Sequence, residues 1–348
     1  MTGQQSLITG WDIGGAHLKV AQCNQQGQLI RTIEIPCPLW LGIEHLQQAI
    51  KTAQQQIGSQ QRLAAVTMTG ELVDIFSDRQ AGVNTILDCI SQFIPTECCI
   101  VYAGALSWLS ISEAKEQWQQ VASQNWQASA LFTAKQVKHG LFIDVGSTTT
   151  DIIPIQKNQV ITQALTDFDR QANSELHYAG VIRTPLIAIA HKVPFDGRTL
   201  QLAAEVFATT GDCWCLLGKL DPLSISDTSA DSESWQPQDC TRRIARLLGT
   251  DASNYPPEQW RHLANWFAQQ QIAQLLGACE AVLTTNRSIS AKAPIVGAGI
   301  GRFIVKKCAE ELGRAYIDFS ELLKPPSVHA ANHAPAVAVA LLACDQLK

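Results

Sequence analysis

The 348 residues exceed the roughly 100–200 of one domain, so two domains are expected. A composition of 46% hydrophobic and 16% charged residues excludes a disordered chain. The net charge of -5, without a Lys/Arg block, argues against nucleic acid or an anionic membrane as partner.

Three short apolar or alternating runs open the chain, Leu7 to Asp12, His17 to Cys23 and Leu29 to Ile35, separated by Gly14-Gly15 and Gln25-Gln26-Gly27. They predict an antiparallel meander. A helix over Ile43 to Ile57, a buried strand over Leu63 to Met68, a helix over Val83 to Ile94 and a strand over Cys98 to Tyr102 follow. The acidic start and Trp/Ala spacing of Ser112 to Lys135 predict one long helix. The pattern then restarts, with strands expected over Leu141 to Asp144, Thr149 to Ile155 and Gln159 to Leu165, as in a duplicated lobe. The polar stretch Ser224 to Gln238 reads as a surface loop or lid. Helices over Asp239 to Leu248 and Pro257 to Thr284, a strand over Ala293 to Val296, a helix over Arg302 to Leu312 and a closing helix over Ala334 to Leu347 complete the chain.

The eleven cysteines are odd in number, dispersed and mostly in apolar stretches, as Cys89, Cys279 and Cys344 are, which reads as reduced core thiols. Neither Cys98-Cys99 nor Cys213-Trp214-Cys215 has the spacing of a zinc site. The first fifteen residues have no basic stretch leading into an apolar core, and the run Ala336 to Cys344 is about half the ~20 residues of a membrane span. A cytoplasmic location away from membranes is expected.

Chemistry concentrates in two turns. A strand that ends in aspartate and turns through glycine points a carboxylate beyond the sheet edge and lays N–H groups around the same space. Asp12 with Gly14 and Gly15, and Asp144 with Gly146, form two such turns, each opening a meander. Together they suit a phosphate held with Mg2+, the backbone taking phosphate oxygens and Asp12 and Asp144 serving as metal ligands. Ser147, Thr148 and Thr149 add hydroxyls to the second turn, Asp151 adds a carboxylate, and alternation turns Thr150 away. Lys19, on the second strand, is placed to reach a phosphate. Gly297, Gly299 and Gly301 form a third turn before the Arg302 helix, where the helix N-terminus favours anions. His177, His191, His329 and His333 lack ligand spacing and read as packing or surface residues.

WDIGGAHLK at 11–19, MTGELVDIF at 68–76, DVGSTTTDIIPI at 144–155, YAGVIRTP at 178–185, FATTGDCW at 207–214 and GAGIG at 297–301 resemble hydantoinase/oxoprolinase-related proteins linked to tetrahydromethanopterin-dependent one-carbon metabolism. That group lies within the acetate and sugar kinase, heat-shock chaperone and actin superfamily. The resemblance spans nearly the whole chain. It implies an α/β, two-lobed, actin-like and sugar-kinase-like fold, a duplicated ribonuclease-H-like unit with an interlobe cleft. The lobes are expected at 1–137 and 138–333, with a closing helix at 334–348 packing back on the first.

The resemblance further implies a methylofuran-pathway transferase that condenses an aminomethylfuran diphosphate with a phenolic tyramine- or tyrosine-glutamate acceptor and releases diphosphate. Lys19 and Arg183 would then be fixed cations beside the Mg2+ on Asp12 and Asp144. Glu71 and Asp74 are candidates for the base that takes the phenol proton, or for further metal ligands. Asp212 is read as orienting substrate or metal, or as a helix cap. His17 stands where relatives carry a smaller polar residue, and its role is open. The alternatives on the same fold are an ATP-dependent small-molecule kinase, with the third glycine turn against adenosine, and an actin-like or chaperone-like nucleotide switch. Whether ATP binds, and whether the chain forms a homodimer, both stay open.

Overall fold

The computed structural model describes residues 7–58 and 61–347, with backbone alone for Gln61 and Leu106. Residues 1–6, on which the reading of an absent signal partly rests, lie outside the described residues. β1 (Leu7–Ile13), β2 (His17–Cys23) and β3 (Leu29–Pro36) form the expected antiparallel meander. α1 (Ile43–Ile57) buries Leu46, Ala49, Ile50, Ala53 and Ile57 on one face, a helical spacing. The chain then enters β4 (Gln61–Met68), parallel to β1. Asp78 caps α2 (Arg79–Ser91) by accepting from the Ala81 N–H at 2.8 Å. β5 (Cys99–Tyr102) lies parallel to β4, and β6 (Trp108–Leu109) closes the sheet order β3-β2-β1-β4-β5-β6.

The expected long helix is two: α3 (Ile111–Glu116) and α4 (Asn125–Ala134). Between them Ser123 takes φ +56°, a left-handed conformation that no helix continues through. The Ser123 hydroxyl donates to Glu71 at 2.7 Å and the Asn125 amide donates to Asp12 at 3.5 Å. Distant hydrogen bonds override local helix propensity here.

The second sheet repeats the first with one alteration. β7 (His139–Val145) and β8 (Thr150–Gln156) pair antiparallel, but β9 covers only Gln159–Val160. The next residue on β8 is Pro154, which has no N–H to donate to a longer β9. After α5 (Asp167–Ala172), β10 (Leu176–His177) takes the other half of the same edge, opposite Thr150 and Asp151. α6 (Leu186–Ile189), the hairpin β11 (Lys192–Phe195) and β12 (Arg198–Gln201), α7 (Thr210–Leu216) and α8 (Pro237–Leu247) follow. α9 (Pro257–Thr285) leads to β13 (Ile295–Ala298), α10 (Arg302–Glu311), β14 (Tyr316–Asp318) and α11 (Ala334–Gln346). β13 is parallel to both β7 and β14.

The layers run α1 and α2, first sheet, α4 with α11, second sheet, α9 with α10. One apolar cluster joins Ile8 and Ala65 of the first sheet to Phe142, Ile153 and Val296 of the second through α4 and α11. This burial on every side explains why α11 has no polar stripe: Ala334 to Cys344 are all buried. Among the described residues no helix is long and apolar enough to cross a membrane. α11 lies close against β1, where a Cβ on Gly10 would fall on the Ala336 carbonyl oxygen. The cores on the outer faces are separate, Trp11, Val20 and Val66 against α1 and α2, and Leu141, Ile143 and Ile295 against α9 and α10.

Candidate active site

The two hairpins are the same device. The Gly14 N–H donates to the His17 carbonyl at 3.0 Å, and the Gly146 N–H donates to the Thr149 carbonyl at 2.9 Å. Asp12 lies opposite Lys19 across the first hairpin, and Asp144 opposite Asp151 across the second. Each residue of the second set follows its counterpart by the same interval, 144 against 12 and 151 against 19. A position that carries an ammonium in one copy therefore carries a carboxylate in the other.

Both hairpins open on one cavity of about 1100 Å³ between the sheets. Asp12, Gly14, Gly15, Lys19, Asp144, Gly146, Ser147, Thr148, Thr149 and Arg183 all line it, as do Asp151 and the unanticipated Glu34, Ser123 and Asn125. Asp12 is 4% exposed, and burial pushes its pKa up to about 6 against the pull of Lys19 and the Asn125 hydrogen bond. Burial, joined by the charges of Asp151 and Asp12, pushes Asp144 to about 7. Burial works against the Lys19 ammonium, but Glu34, Asp12, Asp144 and Asp227 together outweigh it and hold its pKa above the ordinary value. The site thus keeps a lysine cation among carboxylates that are costly to ionise together. Asp151 is itself paired with the buried Arg170 at 2.6 Å, whose guanidinium lies 4.0 Å over the Trp126 ring.

The polar segment expected as a lid reaches across to the first lobe. Ser226 donates its hydroxyl to Glu34 at 2.9 Å and meets His17 Nε2 at 2.9 Å, so with that hydroxyl spent the ring nitrogen is the donor. Asp227 stands 3.8 Å from the same nitrogen. Within the segment Trp235 donates to the Asp227 carbonyl at 2.8 Å, and Asp231, paired with Arg243 of α8 at 2.7 Å, ties it to the second lobe. His17 is therefore a clasp residue. His329 and His333, read as packing or surface residues, also line the cavity, and His333 Nδ1 lies 3.6 Å from Glu34.

Other expected site residues fall elsewhere. Glu71 is 2% exposed and does not line the cavity; it sits behind Ser123, which does. Asp74 is exposed and lines a small depression at the cleft rim with Trp40 and Arg183, away from Asp12 and Asp144. Arg183 stacks over Trp40 at 5.2 Å, bringing the two lobes together. Asp212 is fully buried, caps α7 through the Thr209 N–H at 2.8 Å and pairs with Arg243 at 2.8 Å, so the cap reading is the one its surroundings match. The third glycine turn packs rather than presents donors: Gly299 and Gly301 give their N–H groups to the Ala331 and Val145 carbonyls, and Gly297 packs on Tyr316. Its cavity contribution comes from Ile300 and Arg302 beside those glycines.

The unanticipated cavity residues are of two kinds. Glu34 faces Lys19 through the β2–β3 register, and register across a hairpin is not visible in one strand. For Ser123 and Asn125 the local signal was the Ser-Gln-Asn run itself, since both residue types favour caps and turns over helix interiors.

Among the described residues no three or more His, Cys, Asp and Glu are grouped to hold a metal. The donor set fits Mg2+ in its usual form, with Asp12 and Asp144 as at most two protein ligands and the rest from water and substrate phosphate. Their mutual repulsion in a buried cavity is what a divalent cation would relieve.

The family described as Hydantoinase/oxoprolinase matches residues 62–346. A protein of Methanocaldococcus jannaschii named (4-{4-[2-(gamma-L-glutamylamino)ethyl]phenoxymethyl}furan-2-yl)methanamine synthase is 31% identical over 262 residues, covering 74% of this chain and 76% of its own. A protein of the same name from Methanococcus vannielii is 30% identical over 178 residues, covering 51% of this chain and 78% of its own. In structure the chain resembles nucleotide-free acetone carboxylase, with a TM-score of 0.52 at 9% identity over 85% of this chain and 65% of that one. At that identity the likeness concerns the fold, which is the two-lobed actin-like and sugar-kinase-like one.

Proposed function

Because the chain belongs to the hydantoinase/oxoprolinase family, we propose that it is a transferase of one-carbon cofactor biosynthesis that joins an aminomethylfuran diphosphate to a phenolic acceptor and releases diphosphate. The archaeal relatives' name describes a product in which a phenol oxygen is bonded to the methylene carbon on a furan ring. Making that ether requires a leaving group on the methylene carbon. Diphosphate is a leaving group whose charge this cavity is equipped to receive.

As the carbon–oxygen bond breaks, negative charge gathers on the diphosphate and positive charge on a carbon that the furan oxygen stabilises. Lys19 keeps its proton and sits where the departing charge develops. Ser147 and Thr148 line the same cavity with hydroxyls able to donate to diphosphate oxygens, and Arg183 adds a cation at the rim. Mg2+ held on Asp12 and Asp144 would supply further charge neutralisation at the diphosphate. The Ser226 and Asp227 strap helps exclude water, which would otherwise compete with the phenol for the carbon.

The observation that carries this reading is the meeting of Asp12, Lys19 and Asp144 in one buried cavity from hairpins far apart in the chain. Incubation with the furan diphosphate, a tyramine-type phenol and magnesium, followed by mass spectrometry, tests it. Asp12→Asn and Asp144→Asn are each expected to abolish the ether product with the circular-dichroism melt retained. Robust product from either variant overturns the assignment. The fold neighbour described as acting in ATP-dependent acetone carboxylation keeps phosphotransfer in view, and calorimetry with ATP against an alkyl diphosphate separates the two chemistries.

A further inference from the structure

Glu71 and Ser123 are unusual in three ways that the diphosphate chemistry leaves unexplained. Glu71 is 2% exposed, its Oε2 meets no donor from another residue, and its Oε1 accepts from the Ser123 hydroxyl at 2.7 Å. A buried carboxylate with one oxygen unmet by any other residue is costly, so the arrangement is retained at the expense of stability. Ser123 holds φ +56°, a conformation that disfavours any residue with a side chain. That turn interrupts what local sequence would continue as a helix, and it directs the hydroxyl to Glu71 from a residue lining the cavity. Strain of this kind at a cleft points to function.

The neighbours define what reaches the hydroxyl. Leu72 and Val73, next to Glu71 in the chain, also line the cavity and offer an apolar ledge for an aromatic ring. Asn125, two residues past Ser123, donates to Asp12, so the relay and the proposed diphosphate site share one short segment. The charges around Glu71 are Arg79 from α2, paired at 2.9 Å with Asp167 from α5, and the neutral phenol of Tyr178 faces it from the cavity lining.

We infer that Ser123 is the group that takes the acceptor's hydroxyl proton and passes its own to Glu71. The inference rests on the ether-forming reading and names the step that activates the acceptor. The phenol oxygen forms its bond to the methylene carbon while the methylene–oxygen bond breaks, the bonding pair leaving with diphosphate. The phenol proton moves to Ser123 Oγ as the Ser123 proton moves to Glu71 Oε1, leaving Ser123 neutral and Glu71 protonated. Glu71 later returns that proton to solvent or to the departing diphosphate. Burial, only partly countered by hydrogen bonds from Ser123 and from its own backbone N–H and by the charge of Arg79, lifts the Glu71 carboxyl above its ordinary pKa and brings it nearer the phenol value of ~10, which improves a base. Glu71 acts through Ser123 and is a positioning and proton-storing residue, while Ser123 touches the substrate.

The test compares two acceptors, a tyramine-type phenol and a nitro-substituted phenol that is already ionised near neutral pH. The enzymes are the wild-type chain, Ser123→Gly and Glu71→Gln. Glycine suits the positive φ, so Ser123→Gly removes the hydroxyl while relieving strain and should keep the fold. With the ordinary phenol both variants are expected to lose about 10²–10⁴-fold in kcat, the usual worth of a general base. With the ionised phenol, which has no proton to give, both should recover to within about 10-fold of wild type, and the acid limb of the wild-type pH profile should disappear in Glu71→Gln. Equal losses with both acceptors, or full activity with the ordinary phenol, overturn the relay. A wild-type chain that makes ether from neither acceptor overturns the ether-forming reading itself, and the relay falls with it.

Discussion

Gly299 shows how closely one residue can govern the site. It sits at φ +82°, and a Cβ there would land on Asp144 Oδ1 and the Val145 carbonyl oxygen. The glycine is needed both for its backbone conformation and because Asp144 occupies the space a side chain would take. Gly299→Ala is expected to cost about 2–4 kcal/mol from combined strain and overpacking, and to displace Asp144 enough to lose most ether formation. A urea melt alongside the product assay measures both, and wild-type values in each would refute the packing argument. At this scale the sequence was most informative where chemistry and turn coincide: Asp12-Ile13-Gly14 and Asp144-Val145-Gly146 announce themselves, and Lys19 follows from the strand after the first turn. Asp212 is the counter-example. An acid after Gly211 reads the same whether it faces a cleft or Arg243, and only the packing of α7 against α8 decides.

Among the elements, the broken helix and the strap carry the lesson. Nothing between Gln117 and Gln124 is glycine or proline, so the Ser-Gln-Asn run at 123–125 is a weak local signal for the break. It follows from Glu71 and Asp12, residues more than fifty positions earlier. The strap was legible as a polar segment, but its landing point on His17 and Glu34 was not, since no pattern along a chain states which loop meets which strand. Burial lowers the His17 pKa below its ordinary 6.5, ahead of the opposing pull of Asp227 and Glu34, while Lys19 and Arg183 add to the lowering. The free imidazole gains its proton near pH 6.5, whereas the clasped one resists it. The clasp is therefore at full strength above that pH and weakens by up to about 1.4 kcal/mol per unit as pH falls below it, until the clasped ring itself is protonated. Amide hydrogen exchange at 221–234 is expected to accelerate between pH 7 and pH 5 beyond its intrinsic pH dependence. His17→Asn should remove that excess, and an unchanged excess would mean another group controls the strap.

Across the whole molecule, the repeat of strand, glycine turn and strand was enough to anticipate two similar sheets. It did not reveal that α4 and α11 lie between them in a core common to both. That position gives α11 an importance out of proportion to its length, because Ala334 to Cys344 fill the space where the sheets face each other. A chain ending at His333 would uncover Ile8, Phe142, Ile153 and Val296 at once. Such a truncation is expected to be insoluble or to lose its cooperative thermal transition, and a wild-type melting curve would contradict the layered arrangement.

The sign change between Lys19 and Asp151 reaches furthest. Two identical hairpins would make the cleft a palindrome, equally ready to accept an elongated molecule either way round. An ammonium on one side and a carboxylate at the matching place on the other give it a head and a tail. A substrate with an anionic tail and a cationic head, as the proposed furan has, would then settle in one sense only, its reactive carbon held nearer one wall than the other.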